Sequence, residues 1–233
     1  MADNKKKRDP QFTTPIGVFQ YPRLNEPDYG TDKYPAPEGQ YKVNLILTKN
    51  DPQVQSFLAN LKPYHDAAVA EAHDLFKQLP VVTRKKLEKL SIHPLFDDVY
   101  DKETEEPTGE IVMKFKLKAS GVYKSGQNQG KKWNAFPLLF DSFGRRIAAD
   151  SCSIWGGTKG RVSFSAGAMF VAGIGLGGLS TRLIGAQIVE LVSKGERSAE
   201  SLGFGAVEGG FVADNTQPTS GDTAKELDDS IEF

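Results

Sequence analysis

Apolar and polar residues alternate along much of this chain, which is the pattern of half-buried β-strands. Residues 40–47 place four apolar side chains on one face: Tyr41, Val43, Leu45 and Leu47. Residues 111–118 repeat the pattern with Ile111, Met113, Phe115 and Leu117. Further strands are predicted at 134–140, 160–172 and 181–192, with glycine-rich turns between them. The last of these segments is apolar enough to suit burial on both faces.

One long helix is predicted within this series of strands. It should begin at Asp51-Pro52, because an aspartate can cap a helix and proline fits the first helical position. It should run to about Leu79 and bend or split at Pro63. The basic stretch 83–90 either continues the helical structure or forms a solvated connection, and the acidic residues 97–109 are predicted to form an irregular loop. Short strands with one inserted helix predict a small barrel or a sandwich.

Three lysines occupy the polar face of the 111–118 strand: Lys114, Lys116 and Lys118. Alternate residues of a strand are about 6–7 Å apart, and cations at this spacing resemble the phosphate spacing of a nucleic-acid backbone. A strand at the edge of a sheet, protected by lysines against aggregation, would show the same pattern. At this point both interpretations remain open.

Basic and aromatic residues are interleaved after this strand. Proteins that bind single strands use this combination, because cations follow phosphates and aromatic rings stack on bases. The candidate contact residues are Tyr123, Lys124, Lys131, Lys132, Trp133, Lys159, Arg161, Phe164 and Phe170. For Trp133 and Phe164, a place in the hydrophobic core explains the residue equally well.

The net charge of −1 conceals an uneven distribution. Residues 222–233 carry five acids and one base, whereas residues 1–221 carry 28 basic and 25 acidic side chains. A basic body with an acidic tail favours a polyanionic partner and a tail that competes for the same surface, although the tail could also serve solubility alone. We predict a basic arm over 1–11, a folded domain over 12–197 and a flexible tail over 198–233.

Several classes of chemistry find little support in the sequence. His65, His73 and His93 are too few and too scattered for a zinc site beside the single cysteine, Cys152. Residues 156–160 lack the spacing of a phosphate-binding loop, and residues 173–178 match G-x-G-x-x-G but precede a predicted strand. The uncharged residues 162–181 are too rich in Gly, Ser and Thr to favour membrane insertion. We therefore predict neither enzymatic activity nor a metal, a cofactor or a membrane partner.

Secretion is not expected either. The chain starts with charged residues where a signal peptide needs an apolar stretch. One cysteine cannot form a disulfide within the chain, which suits a reducing compartment such as the cytoplasm.

From Phe12 to Val192 and at its terminus, the chain resembles the T7-like single-stranded DNA-binding proteins of bacteriophages. The motifs that carry the resemblance are Pro27-Asp28-Tyr29-Gly30, Tyr41-Lys42-Val43, Asp51-Pro52, Lys114-Phe115-Lys116 followed by Ala119-Ser120, Ile154 with Gly156-Gly157, Val189-Glu190-Leu191 and the acidic end with its final phenylalanine. Lys114 and Lys116 match basic positions of the family. Met169-Phe170-Val171 departs from it, because the family has an aromatic pair there. Phe170 would then stack one position away, or Trp133 and Tyr123 would provide the platform.

The resemblance implies an OB fold, a five-stranded Greek-key barrel with an inserted helix and disordered termini, and no cofactor. It implies a role in replication, recombination and repair of phage DNA in the cytoplasm of the infected bacterial host. The acidic tail is expected to occupy the DNA groove when DNA is absent and to contact the phage DNA polymerase and helicase-primase. The tail residues concerned are Asp228, Asp229, Glu232 and Phe233.

Other partners and functions remain open from the sequence. Contacts to a backbone do not strictly read sugar or pairing state, so duplex DNA and RNA are further candidates, and a homodimer is not excluded. The main alternative is a structural or assembly protein of the virion that binds no nucleic acid. A third hypothesis is an annealing or nuclease enzyme.

Overall fold

Strands make up most of the structure, a computed structural model that describes residues 9–193. The strands are β1 (Gln11–Thr13), β2 (Gly17–Thr31), β3 (Tyr34–Thr48), β4 (Ser91–His93), β5 (Asp97–Tyr100), β6 (Pro107–Lys118), β7 (Ser120–Val122), β8 (Lys132–Asn134), β9 (Leu138–Phe140), β10 (Arg146–Ile147), β11 (Lys159–Val171) and β12 (Leu176–Glu190). The helices are α1 (Pro52–Gln78) and α2 (Val81–Leu87). None of the described helices is long and apolar enough to cross a membrane.

Five long strands close into a barrel. Their order is β11, β2, β3, β6 and β12, after which β12 pairs with β11 again. Neighbours in this ring are antiparallel except β6 and β12, which run parallel and meet at the pair Lys116 and Arg182. The short strands β7 and β8 form a separate hairpin. The predicted barrel with an inserted helix is confirmed.

Inward-facing apolar residues fill this barrel. Val43 and Leu45 of β3, and Met113 and Phe115 of β6, are almost completely buried, as the alternating pattern predicts. Phe164 of β11 lies among three other phenylalanines. Its ring centroid is 4.9 Å from that of Phe115, 5.8 Å from that of Phe12 and 6.2 Å from that of Phe57. Burying one such side chain contributes about 1.5–3 kcal/mol.

Helix α1 begins as its sequence predicts. The backbone N–H of Gln53 donates to Oδ1 of Asp51 over 2.7 Å, which satisfies one of the amides left without a partner at a helix start. The helix continues through Pro63 without a break, so a split at that residue is wrong. It packs on β11 and β12. At Gly177 a Cβ atom would collide with Ala72, so the absence of a side chain there allows this close approach.

Two segments differ from their prediction, and for a third the structure decides between two predicted alternatives. Residues 97–100 of the expected acidic loop form β5, because Asp97 and Asp98 pair with Lys114 and Lys49 at the sheet surface. The basic stretch after the long helix is helical over α2. The strand predicted at 134–140 is instead divided between β8 and β9, which are separated at residues 135–137.

The N-terminal arm predicted from sequence is in part a strand. Gln11, assigned to that arm, pairs with Ser165 in the sheet.

The G-x-G-x-x-G segment forms the turn between β11 and β12 and leads into a strand. A dinucleotide site requires a helix at that place, so the structure does not support one.

Candidate nucleic-acid interface

The lysine-bearing strand β6 lies inside the sheet. It pairs with β3 along residues 110–118, and its other side meets β5 and then β12. Lys114, Lys116 and Lys118 are all exposed on the outer face of the barrel. The explanation of these lysines as protection of an open sheet edge is therefore wrong.

A groove of about 810 Å³ runs over these lysines, and we name it the lysine groove. It brings together five residues predicted from sequence: Lys114, Lys116, Lys118, Tyr123 and Trp133. It adds Arg182 and Thr181 from β12, Gln40 from β3, Met169 from β11 and His93 from β4. Cations from two neighbouring strands and two aromatic side chains thus share one concave surface.

Two of the lysines have acidic partners. Lys114 Nζ lies 2.7 Å from Oδ2 of Asp97, and Lys118 Nζ lies 2.5 Å from Oε2 of Glu38. The hydrogen bond from Lys118, together with its charge, holds the pKa of Glu38 below its usual value. Glu38 therefore stays ionised at neutral pH and competes with any incoming anion for Lys118.

Lys116 and Arg182 differ from their neighbours. Within residues 9–193, neither side chain forms an ion pair. They are register partners across β6 and β12, so two like charges face the same side of adjacent strands. Like charges placed directly opposite each other in a sheet repel. An anion bound between them would remove this repulsion, which favours a phosphate at this place.

The hairpin of β7 and β8 supplies the aromatic side of the lysine groove. Trp133 is the register partner of Gly121, and a Cβ atom at Gly121 would lie 2.5 Å from the indole ring. The indole therefore lies directly against the glycine. Tyr123 is 43% exposed and follows β7 directly. Ser120 anchors the hairpin to β3 by donating its hydroxyl to the carbonyl oxygen of Glu38 over 2.8 Å.

The tip of this hairpin is basic. Lys124, Lys131 and Lys132 are exposed, although none of them lines the lysine groove. The positive charge of Lys124 also acts on Glu38 and helps to lower its pKa. The hairpin therefore adds positive charge beside the groove.

Four other predicted contact residues lie elsewhere. Phe164 is fully buried in the barrel core, so the prediction that it contacts DNA is wrong in this structure. Phe170 does not line the groove. Its ring lies beside Gly177, at the place where β12 packs against Ala72 of α1. Lys159 pairs with Glu190 at 2.8 Å, and neither it nor Arg161 lines the groove.

Sequence reasoning missed several groove residues, among them Arg182, Met169 and His93. Arg182 was not predicted because residues 181–192 suited burial on both faces. Its position next to Leu183, which is buried, was the available signal that its own side chain is exposed. Met169, rather than Phe170, turns towards the groove because neighbouring strand residues point to opposite faces. His93 has a buried Nδ1 atom without a hydrogen-bond partner in the described part of the chain. Nothing in the sequence pattern marked it.

The tail residues Asp228, Asp229, Glu232 and Phe233, which are predicted to bind partners, lie outside the described residues. Residues 9–193 contain no cluster of three or more His, Cys, Asp or Glu side chains that could hold a metal ion.

Comparisons with known proteins identify relatives of this chain. The relative from Enterobacteria phage T3, a single-stranded DNA-binding protein, is 28% identical over 172 residues, covering 71% of this chain and 68% of the relative. The protein of the same description from Escherichia phage T7 is 26% identical over 161 residues, covering 66% of this chain and 64% of the relative, which is under two thirds of its length.

The fold comparison gives the same result. The crystal structure of the single-stranded DNA-binding protein encoded by bacteriophage T7 matches with a TM-score of 0.61 at 24% identity, covering 88% of this chain and 99% of the other. This match confirms the OB-type barrel. The family model described as "Single-stranded DNA-binding protein, Bacteriophage T7" matches residues 17–175, well over half of the sequence. The chain therefore belongs to this family of phage single-stranded DNA-binding proteins.

Proposed function

We propose that this protein binds single-stranded DNA in the lysine groove without sequence preference and without altering it chemically. The observation that carries the proposal is the in-register pair Lys116 and Arg182, two exposed cations with no ion pair among residues 9–193. Two aromatic side chains, Tyr123 and Trp133, line the same groove. Membership of the family supports this function, as do the two relatives, both of which are single-stranded DNA-binding proteins.

The groove can hold a strand by two kinds of contact. Phosphates would settle first between Lys116 and Arg182, and would then displace Asp97 and Glu38 from the lysines on either side. Bases would stack on Tyr123 and Trp133, each stack contributing about 1–3 kcal/mol. Phosphate contacts and ring stacking carry little sequence information, which explains binding without sequence preference.

The proposal is tested by titrating labelled oligo-dT at low salt and following fluorescence anisotropy. Replacing Lys116 or Arg182 by alanine should weaken binding at least about tenfold, because each change removes a charge-assisted contact. Lys102→Ala is the matched control, since Lys102 is an exposed lysine that does not line the groove. If the unmodified protein binds oligo-dT no tighter than micromolar, the structural or assembly protein of the virion becomes the better explanation.

Catalysis is the other alternative. Incubation of labelled single-stranded and duplex DNA with and without magnesium separates binding from cleavage. We expect intact DNA in every lane, and magnesium-dependent cleavage would show that the protein is a nuclease.

The role in the infected cell follows from binding. By coating single strands in the cytoplasm of the bacterial host, the protein would support replication, recombination and repair of phage DNA. The acidic tail with Asp228, Asp229, Glu232 and Phe233 would compete for the groove and recruit the phage DNA polymerase and helicase-primase. Tail peptides immobilised on beads should retain these two enzymes, and a peptide with the four residues replaced by alanine should not.

A further inference from the structure

A second cavity of about 630 Å³ lies on the same barrel, on the side of β2. Two aromatic residues line it, Tyr21 from β2 and Trp155 from the segment before β11. Arg23 and Lys42 line it as well, together with Asp28. We name it the Tyr21 cavity. It shares no lining residue with the lysine groove.

A row of cations joins the two sites. Arg23 on β2 is the register partner of Lys42 on β3, and Lys42 is the register partner of Lys116 on β6. Lys116 is in turn the partner of Arg182 on β12. Adjacent strands are about 4.8 Å apart, so four basic residues cross the barrel over roughly 14 Å. The row begins at the Tyr21 cavity and ends in the lysine groove.

Both aromatic side chains of the cavity are exposed to solvent. Tyr21 is 71% exposed and Trp155 is 45% exposed, although rings of this size are usually more buried. Paired with nearby cations, exposed rings have the composition of a base-stacking site.

The backbone at Tyr21 is strained. Its φ is +49°, in the left-handed region that bulky residues rarely adopt. The register between β2 and β3 breaks between Gln20 and Arg23, so Tyr21 lies within an irregularity of the strand. Irregularities of this kind re-aim a side chain, and strained residues cluster at ligand-binding sites. Here the irregularity places Tyr21 at the wall of the cavity.

Acidic groups in the cavity favour a base over a phosphate as its occupant. Asp28 Oδ2 lies 2.5 Å from Lys42 Nζ, and Glu26 also lines the cavity. These carboxylates repel phosphate but can accept hydrogen bonds from the N–H groups of a base. The phosphates are therefore placed on the cation row and the base in the cavity.

We propose that a strand bound in the lysine groove continues along the cation row and places a base between Tyr21 and Trp155. This second base-stacking site rests on the proposed function. It predicts that long oligonucleotides gain affinity that short ones cannot.

The sequence contains two tryptophans, Trp133 and Trp155, which makes the site directly observable. Trp133→Phe leaves Trp155 as the single indole fluorophore. An oligo-dT of about 15 nucleotides, near the upper end of OB site sizes, should quench its emission with the affinity found by anisotropy of the labelled strand. Binding by anisotropy without quenching would overturn the second site and leave the proposed function standing. Absence of oligo-dT binding by the unmodified protein in the same anisotropy titration would overturn the proposed function itself.

Tyr21→Asn provides the second measurement, because asparagine tolerates the left-handed backbone and removes the ring. We expect at least about fivefold weaker binding of the long oligo-dT and no change for one of about four nucleotides. Tyr100→Asn is the matched control, since Tyr100 is 57% exposed and lines neither site. If Tyr21→Asn binds the long strand as tightly as the unmodified protein, the second site is wrong.

Discussion

The basic side chains of the lysine groove differ in whether an acidic side chain balances their charge. Lys116 and Arg182 lack an acidic partner among the described residues, whereas Lys114 and Lys118 are paired with Asp97 and Glu38. The acids hold the paired lysines in place in the absence of DNA, and a phosphate must displace them. Removing the charge of Asp97 or Glu38 should therefore strengthen the binding of single-stranded DNA.

Glu38→Gln tests this consequence. Exposed ion pairs are weak because solvent screens them, so releasing Lys118 should tighten oligo-dT binding by no more than about fivefold at low salt. Glu103→Gln is the control, because Glu103 is exposed and lines no part of the groove. Weaker binding by Glu38→Gln would mean that Glu38 positions Lys118 rather than competing for it.

The pH dependence of this effect follows from the lowered pKa of Glu38. A carboxyl group whose pKa is lower in the folded state stays ionised above its unfolded value, and its ion pair is lost only as the pH falls through the folded value. The ratio of affinities between Glu38→Gln and the unmodified protein should therefore stay constant from about pH 8 to about pH 5. Anisotropy titrations across this range check it, and a ratio that already falls to one near pH 6 would contradict the assignment.

At the scale of elements, the hairpin of β7 and β8 lines the groove, whereas the barrel strands also form the hydrophobic core. The hairpin presents Trp133 and Tyr123 without contributing to the barrel core, whereas β11 contributes Phe164 to that core. Changes in the hairpin should affect binding, and changes in the core should affect stability.

Gly121→Val tests the hairpin. A Cβ atom at Gly121 would lie 2.5 Å from Trp133, so the larger side chain must displace the indole. Loss of one stacking contact should weaken oligo-dT binding about fivefold or more, with little change in thermal stability. Gly173→Val is the control, because a Cβ atom there meets nothing within 4 Å. Equal affinities for both variants would show that Trp133 does not stack on a base.

Phe164→Ala tests the core. Removing a fully buried phenylalanine costs about 3–5 kcal/mol of unfolding free energy, measurable by urea denaturation. Folded protein should bind oligo-dT as the unmodified protein does at a temperature where both are native. Weak binding with unchanged stability would return Phe164 to the set of DNA contacts.

Much of the barrel could be predicted from sequence, because its strands alternate clearly over 40–47 and 111–118. The groove could be predicted in part, since Lys114, Lys116 and Lys118 lie on one strand. Arg182 could not be assigned to it, because the contact between β6 and β12 joins residues far apart in the chain. Phe164 and Phe170 show the converse: an aromatic residue looks the same in sequence whether it stacks in a core or on a base.

At the scale of the whole molecule, charge is divided between the body and the end of the chain. Deleting residues 222–233 removes five acids and one base. If this segment competes with DNA, the deletion should tighten oligo-dT binding at low salt, and the gain should shrink as salt screens the competition. Competition anisotropy with the full chain and the deletion variant measures this effect. Weaker binding after deletion would contradict a competing tail.

The central claim is that Lys116 and Arg182 neutralise phosphates of a single strand. The logarithm of affinity for oligo-dT falls linearly with the logarithm of salt concentration, by about 0.7 for each phosphate neutralised. The double variant Lys116→Ala with Arg182→Ala should therefore show a slope shallower by about 1.4 than that of the unmodified protein. An unchanged slope would show that the DNA backbone does not pass through the lysine groove.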